Sequence, residues 1–367
     1  MITFRGALLA TAFAGVLGLS SACAQDRLYA PFKTIQPQSG PAAGDCPAVP
    51  SPPTALHIDT PYQKGDPTFS HVDPQAERAV NDLMKPIRDF YVAVDVQAGR
   101  YTLSDGANER AGACALAMMD SWARQNAVSQ LTSHDAYLFR ANMISALAFD
   151  FMQVRGLNSG DPDQRRRVAT WLHGLAEDSL EHWRALPPDS MVNHNNHRAW
   201  AALATAAAGV ATNDRSLFEW GVNSAKVVAC EADGSGALPR EIGRAARARL
   251  YSLYAAEPLV MTAELAAANG EDLYGACGGA IRRIADFALR SVDDPSDIEA
   301  RTGVKQEPFY KPDGGFNKAQ IAWAEVYHHR FPDSPLPSGF AAGKPYFAPD
   351  LGGGRPSAVD QGADAAA

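Results

Sequence analysis

Two clusters in the sequence carry side chains able to bind a carboxylate and move a proton. The first is Asn193-His194-Asn195-Asn196-His197, placed directly before the apolar pattern of Ala199, Trp200, Ala201, Ala202 and Leu203. It marks a helix entrance, where Asn195 or Asn196 caps the helix and the backbone amides and positive dipole end favour an anion. Capping accounts for one asparagine and leaves the rest of the cluster unexplained. The second is Arg240, Arg244, Arg247, Tyr251 and Tyr254, recurring at steps of four, three, four and three. On a single α-helix these five share one face. A solvated basic face is the plain alternative, but such a face has little reason to carry two tyrosines.

Both clusters suit one reaction. In a uronate polymer a carboxylate sits beside C5 and a glycosidic oxygen on C4; removing the C5 proton and expelling that oxygen leaves an unsaturated sugar end. The C5 proton is too weak an acid unless hydrogen bonds and positive charge on the carboxylate stabilise the enolate-like intermediate. An amide and a guanidinium supply them without giving up a proton. A phenol or imidazole can take the proton and return one to the leaving oxygen. No metal or cofactor is expected: His194 and His197 are three apart but lack a nearby Glu or Cys to complete a ligand set, and His328-His329 has less support. Among the tryptophans, only Trp200 adjoins the polar cluster and is read as a sugar-stacking ring; Trp122, Trp171, Trp183, Trp220 and Trp323 read as packing.

The elements that must position these groups are helices. Segments 76–96, 111–127, 135–155, 162–185, 197–211, 214–231, 241–269, 276–291 and 318–329 each show apolar residues at three- and four-residue spacing, with almost no strand-like alternation. Amphipathic helices of similar length joined by short loops predict hairpins wound into a bundle, solenoid or toroid, and periodicity does not choose among the three. Residues 62–67, polar and glycine-containing, lie before the first strong helix and read as a lid carrying Tyr62 and Lys64, or as an ordinary surface loop.

Around this body the composition draws the boundaries. Arg5, an apolar run over 7–19 and small residues through Ala24 read as an export signal over 1–24, cleaved to leave Gln25 first. Lipidation of Cys23 is the rival reading, opposed by Ser20 where an aliphatic residue normally stands. Residues 25–55 read as an extended arm, 56–342 as one domain and 343–367, rich in Gly, Ala and Asp, as a disordered tail; neither arm nor tail is expected to serve catalysis. Cys46, Cys114, Cys230 and Cys277 remain for two disulfides in an oxidising compartment, periplasmic or secreted. Three connectivities are compatible; the favoured one ties the arm to the body through Cys46–Cys114 and staples Cys230–Cys277 locally. A net charge of −8 means a polyanion is held by local basic patches, which argues against nucleic-acid binding. No membrane span is predicted, and a monomer is expected.

At the level of motifs the chain resembles the periplasmic alginate (polymannuronate) lyases. The likeness runs through Cys46-Pro47-Ala48-Val49-Pro50, Cys114-Ala115-Leu116, Ser121-Trp122-Ala123-Arg124, Asn195-Asn196-His197, Leu217-Phe218-Glu219-Trp220, Leu238-Pro239-Arg240-Glu241 and Ala322-Trp323, in that order. The resemblance implies an all-α fold, an incomplete (α/α) toroid of helical hairpins, whose cleft holds an acidic polysaccharide and cuts it without metal. By motif position it implies that Asn196 and Arg244 neutralise the carboxylate while His197 and Tyr251 handle protons, Tyr251 being the acid to the leaving oxygen. In mannuronate the C5 proton and that oxygen lie on the same side of the ring, so Tyr251 can also be the base. Substrate contacts are expected from Tyr62, Lys64, Asn195, Arg198, Trp200, Arg240, Arg247 and Tyr254. The chain departs from the family where Arg198 and Ala199 replace Ser-Tyr before Trp200, and where Pro61 precedes Tyr62 in place of lysine. Polyglucuronate or a mixed exopolysaccharide is therefore the alternative substrate. Outside the lyases, a glycoside hydrolase would need two carboxylates flanking the bond, and a non-catalytic scaffold in polysaccharide export would bind polymer without shortening it.

Overall fold

The computed structural model describes residues 1, 27–33, 35, 44–159, 161–341 and 346–354; the expected export signal and Cys23 lie outside them. Helices form where apolar residues recur at three and four: α1 (Pro74–Leu103), α2 (Glu109–Ala123), α3 (His134–Val154), α4 (Pro162–Ala185), α5 (Asn196–Thr212), α6 (Arg215–Ala229), α7 (Pro239–Ile242), α8 (Ala248–Ala267), α9 (Ala276–Asp293), α10 (Ser296–Thr302) and α11 (Trp323–Arg330). Side chains of Asp73, Asn108, Ser133, Asp161, Asn195 and Asp214 accept from first-turn amides of the six longest early helices. Each such cap contributes about 1 kcal/mol.

Packing sorts these helices into two layers. α1, α3, α5 and α8 contact one another in sequence as an inner ring, and α2, α4, α6 and α9 lie outside them as hairpin partners, giving an α/α toroid. α5 is apolar on nearly every side and packs on α3, α4, α6 and α8, as a helix without a polar face must. Between α8 and α1 no helix pair closes the ring among the described residues; the short 3₁₀ turn Lys318–Ile321 and α11 lean on α8 there, and residues 346–354 lean on α1 and α3. Two short strands, β1 (Ala55–Leu56) and β2 (Gln130–Leu131), pair in parallel and bring the 60s loop to the start of α3.

One predicted helix is broken. Residues 241–269 form α7, a 3₁₀ turn Ala245–Arg247 and then α8, with Ala245 at φ +49°. Distant backbone and side chains take the groups a continuous helix would use: Gln306 Nε2 donates to the Ala245 carbonyl (3.0 Å), Gln306 Oε1 accepts from Arg249 N (2.9 Å) and Glu307 N donates to the Ala246 carbonyl (2.9 Å). The Arg/Tyr stripe therefore does not ride on one helix face.

Part of the expected disordered tail is ordered. Tyr346, Ala348 and Leu351 are buried, and β3 (Phe347–Ala348) pairs antiparallel with β4 (Gly353–Gly354). Glycines permit the approach: at φ +77° and +79°, a Cβ on Gly352 would lie 2.8 Å from the Phe149 Cβ, and one on Gly353 2.6 Å from the Asp95 Cβ. Composition reads such a segment as disordered because its apolar residues are few, whereas its missing side chains are what let it dock. In the N-terminal segment, Leu28 reaches the core and Leu28 N donates to Asn213.

Cys46–Cys114 and Cys230–Cys277 are the two disulfides. The first closes a loop across a separation of 68 residues, a constraint on the unfolded chain worth on the order of 4 kcal/mol. No helix among the described residues is long and apolar enough to cross a membrane.

Under the docked segment lie Asp95 of α1 and Asp150 of α3, both fully buried and, among the described residues, without hydrogen-bonding partners beyond each other's carboxyl. Burial first, and then the neighbouring Asp150 and Asp350, push Asp95 well above the usual carboxylate range; burial raises Asp150 to about 7. Because the folded values are raised, the pair's contribution to stability is full below pH ~4 and is lost as pH rises through about 7. Asp150→Asn is expected to flatten this fall, so that the melting temperature drops less between pH 5 and pH 8 than in the wild type; an unchanged difference would exclude the pair as its source.

Candidate active site

A cleft of ≈ 560 Å³ opens towards the N-terminal parts of α3, α5 and α8, lined by residues of these helices and of the segments before α5 and α8, by the 60s loop, by Asn317, Ala319 and Gln320, and by Ala348 to Asp350. Three helix N-termini bring positive dipole ends to one space. This supplies a local field for an anion on a protein whose net charge is −8.

At the α5 entrance, Asn195 is the cap: its backbone is extended and its Oδ1 accepts from His197 N (3.0 Å). The anion at this helix end is the protein's own Glu241, whose Oε1 accepts from Asn196 N (2.7 Å). Asn196 Nδ2 also donates to both Glu241 oxygens, at 3.1 and 3.0 Å, and Asn196 Oδ1 is buried without a partner among the described residues. Burial raises Glu241 to about 7, against the pull of the Asn196 donors and Arg244. When Glu241 is protonated, its O–H can donate to Asn196 Oδ1 with the amide reversed, and the amide N–H groups then face the cleft.

His197 lines the cleft and its Nδ1 hydrogen-bonds His134 Nε2 (3.2 Å), leaving Nε2 towards the cleft. Burial first, then His134 and Arg244, push His197 down to about 3, so the ring is a neutral imidazole at working pH. His194 turns away to Glu231 (2.9 Å) and the Pro188 carbonyl (2.9 Å), so the two histidines do not converge.

On the opposite wall Tyr251 hydrogen-bonds the Tyr62 phenol, which also accepts from Arg247 NH1 (3.2 Å). The Arg244 guanidinium lies 3.4 Å over the Tyr251 ring centroid and 5.3 Å from that of Tyr62. Arg244 Nε and NH2 donate to the Thr68 and Phe69 carbonyls at 3.0 and 2.7 Å, clamping the 60s loop over the cleft. That loop is braced by Asp66, which accepts from Thr68, Ser70 and His71 amides and the Thr68 hydroxyl, and by a bridge between Tyr62 and Val72. Burial raises the Tyr62 phenol, with Arg244 and Arg247 opposing.

The structure thus gathers Tyr62, Asn195, Asn196, His197, Arg240, Arg244, Tyr251 and Tyr254 into one lining, and Arg247 joins through Tyr62. Three expected substrate contacts are elsewhere. Lys64 is exposed on the loop outside the lining. Arg198 turns outward to Asn193 and Ser224 (both 3.3 Å) and over the Trp220 ring. Trp200 is fully buried and cannot stack on a sugar. Its Nε1 instead donates to the Tyr254 carbonyl (3.1 Å), which Pro258, four residues on and lacking an N–H, leaves free. Trp200 therefore ties α5 to α8 behind the floor, while the Tyr254 phenol is fixed by the Asn142 amide (3.2 Å).

Sequence reasoning missed His134, Glu257 and Asp350 in the lining and the supporting role of Glu241. Glu241 ends the Leu238-Pro239-Arg240-Glu241 motif, but its partner is 45 residues away, beyond any local spacing.

Comparisons with known proteins bear on the family and the fold. The family described as alginate lyase matches residues 58–298. An alginate lyase of Azotobacter vinelandii is 32% identical over 313 residues, covering 84% of this chain and 80% of that protein. One of Pseudomonas aeruginosa is 32% identical over 293 residues, covering 78% and 77%. Among solved structures, alginate lyase A1-III from Sphingomonas species A1 superposes with a TM-score of 0.69 at 24% identity, covering 89% of each chain. A variant of alginate lyase A1-III complexed with a tetrasaccharide gives 0.69 at 23%, covering 87% and 86%.

Proposed function

The chain belongs to the alginate lyase family, and from that premise we propose that Asn196, His197, Arg244 and Tyr251 perform the β-elimination, with polymannuronate as the preferred polymer. The protein is a polysaccharide lyase acting on alginate. A uronate carboxylate entering the cleft meets the reversed Asn196 amide and the Arg244 guanidinium, which hold the negative charge that grows as the C5 proton leaves. Neutral His197 offers Nε2 as a proton acceptor, and the Tyr251 phenol gives its proton to the C4 oxygen. Where both protons lie on one face of the sugar, Tyr251 can serve in both steps.

What carries this assignment is the stack of Arg244 on Tyr251 in the cleft that Asn196 also lines: anion binders and a proton donor in one cleft. A variant of alginate lyase A1-III is complexed with a tetrasaccharide, which supports an oligosaccharide as the ligand. The same proposal places the mature chain, freed of residues 1–24, in the periplasm or outside the cell, consistent with two disulfides.

Incubation with polymannuronate, polyguluronate and polyglucuronate, followed by ultraviolet absorbance with and without a chelator, tests it. Absorbance should rise fastest with polymannuronate and be indifferent to chelator. Polymer shortening without absorbance would mean hydrolysis, and binding without shortening a scaffold.

Glu241 adds a pH signature. Its protonated form, which frees the Asn196 amide for substrate, prevails below about 7, so kcat/KM should decline as pH rises through that value. Glu241→Gln should keep activity within about tenfold and remove that limb, since an amide N–H replaces the acid proton, whereas Glu241→Ala should lose roughly 10²-fold. A Gln variant with the wild-type pH profile would rule Glu241 out as the titrating group.

A further inference from the structure

Three imidazoles form a continuous file leading away from the cleft. His197, in the first turn of α5, meets His134, the first residue of α3, with Nδ1 and Nε2 3.2 Å apart. His134 Nδ1 in turn meets His182 Nε2, near the end of α4, at 3.0 Å. The rings are held from several sides. Trp183 sets an edge against His134, with centroids 5.4 Å apart, and Tyr137 stacks on His182 at 3.7 Å and 6°. Arg140 lies over Tyr137 and pairs with Asp178 (2.6 Å), one turn before His182. Nothing in the elimination step uses His134 or His182.

We propose that His134 and His182 form, with His197, a proton relay joining the floor of the cleft to the half-buried outer ring of the file. The proposal rests on the proton-handling role assigned to His197 above. Two neutral imidazoles that hydrogen-bond each carry one proton, so the file has two polarities. In the first, His197 Nδ1–H donates to His134 Nε2 and His134 Nδ1–H donates to His182 Nε2, which leaves His197 Nε2 bare as a base. A proton taken from C5 onto Nε2 displaces one along the file, and His182 Nδ1 releases one to solvent. Every ring ends neutral in its other tautomer, with Nε2–H of His197 facing the cleft. That proton restores the Tyr251 hydroxyl, whose own went to the leaving oxygen, and a solvent proton entering at His182 Nδ1 returns the file to its first polarity. One proton leaves and one enters per turnover, and none is stored. Burial supports passage over storage: it lowers His134, takes His182 down to about 4 and His197 to about 3, so no histidinium rests on the file.

His182→Gln tests the relay, because an amide keeps a hydrogen bond to His134 but cannot exchange tautomers, and position 182 lies outside the cleft lining. Using the absorbance assay on polymannuronate, kcat should fall about tenfold or more with KM unchanged. The solvent deuterium isotope effect should grow, and added imidazole should recover part of the rate. Wild-type kcat and isotope effect, or a loss borne by KM that imidazole does not rescue, would overturn it. If His182→Gln fails to fold, the wild-type enzyme decides: a proton inventory in mixed water and deuterium oxide should curve with more than one proton in flight, and a straight line would refute the relay. His197→Ala separates the two levels. An active variant would remove the role of His197 itself, while an inactive one beside a wild-type His182→Gln would remove only the relay.

Discussion

Tyr251→Phe will lower kcat by roughly 10²- to 10⁴-fold, the range for loss of a positioned proton donor, while the protein stays folded and binds polymer almost as before. The ring stays because Arg244 stacks on its face and Tyr254 meets it edge-on at 6.3 Å, and neither contact uses the hydroxyl. What is lost is one hydrogen bond to Tyr62, worth about 1 kcal/mol, and the only proton on that side chain able to reach the leaving oxygen. Tyr62→Phe should cost far less, since Tyr62 supports Tyr251 from the loop. Steady-state rates with circular dichroism on both variants check the contrast, and wild-type turnover in a folded Tyr251→Phe would defeat the assignment.

Arg244→Ala is expected to lose about 10²- to 10³-fold in kcat, as does removal of a donor to a developing oxyanion, and also to raise KM. Two effects combine because the side chain does two things. In the proposed assignment its charge meets the substrate carboxylate, and its Nε and NH2 hold the Thr68 and Phe69 carbonyls, keeping the loop across the cleft. Phe69 sits at φ +49°, a strained conformation for a non-glycine residue, and loses its tether with the guanidinium. Arg244→Lys should recover little, because an ammonium cannot satisfy two carbonyls and stack on a phenol at once. A lysine variant with near wild-type kcat/KM would show that charge alone suffices.

Helix periodicity located most of the helices and the polar run before α5 half the site, because both are local signals, while the toroid followed from the family resemblance. Asn195, Asn196 and His197 announce themselves by standing at a helix entrance; the even cysteine count left three connectivities open, of which the favoured one is observed. The remainder depended on long-range pairing. Gln306 and Glu307 interrupt what reads as one helix, so Arg244 and Tyr251 converge through a turn at Ala245 and not through shared helix spacing. Trp200 looked like a sugar platform because it follows the cluster, yet a proline on another helix draws its indole inward. The Gly352-Gly353 segment reads as tail by composition, although its lack of side chains is the condition for reaching Asp95 and Phe149, and it puts Asp350 in the cleft wall.

The most direct measurement is a crystal structure of Tyr251→Phe with a bound mannuronate oligomer. One carboxylate should lie within hydrogen-bonding distance of Asn196 Nδ2 and the Arg244 guanidinium, with the adjoining C4 oxygen against the ring at position 251 and the Glu241–Asn196 contact reversed. A carboxylate turned to solvent, with both groups still satisfied by protein partners, would contradict the account.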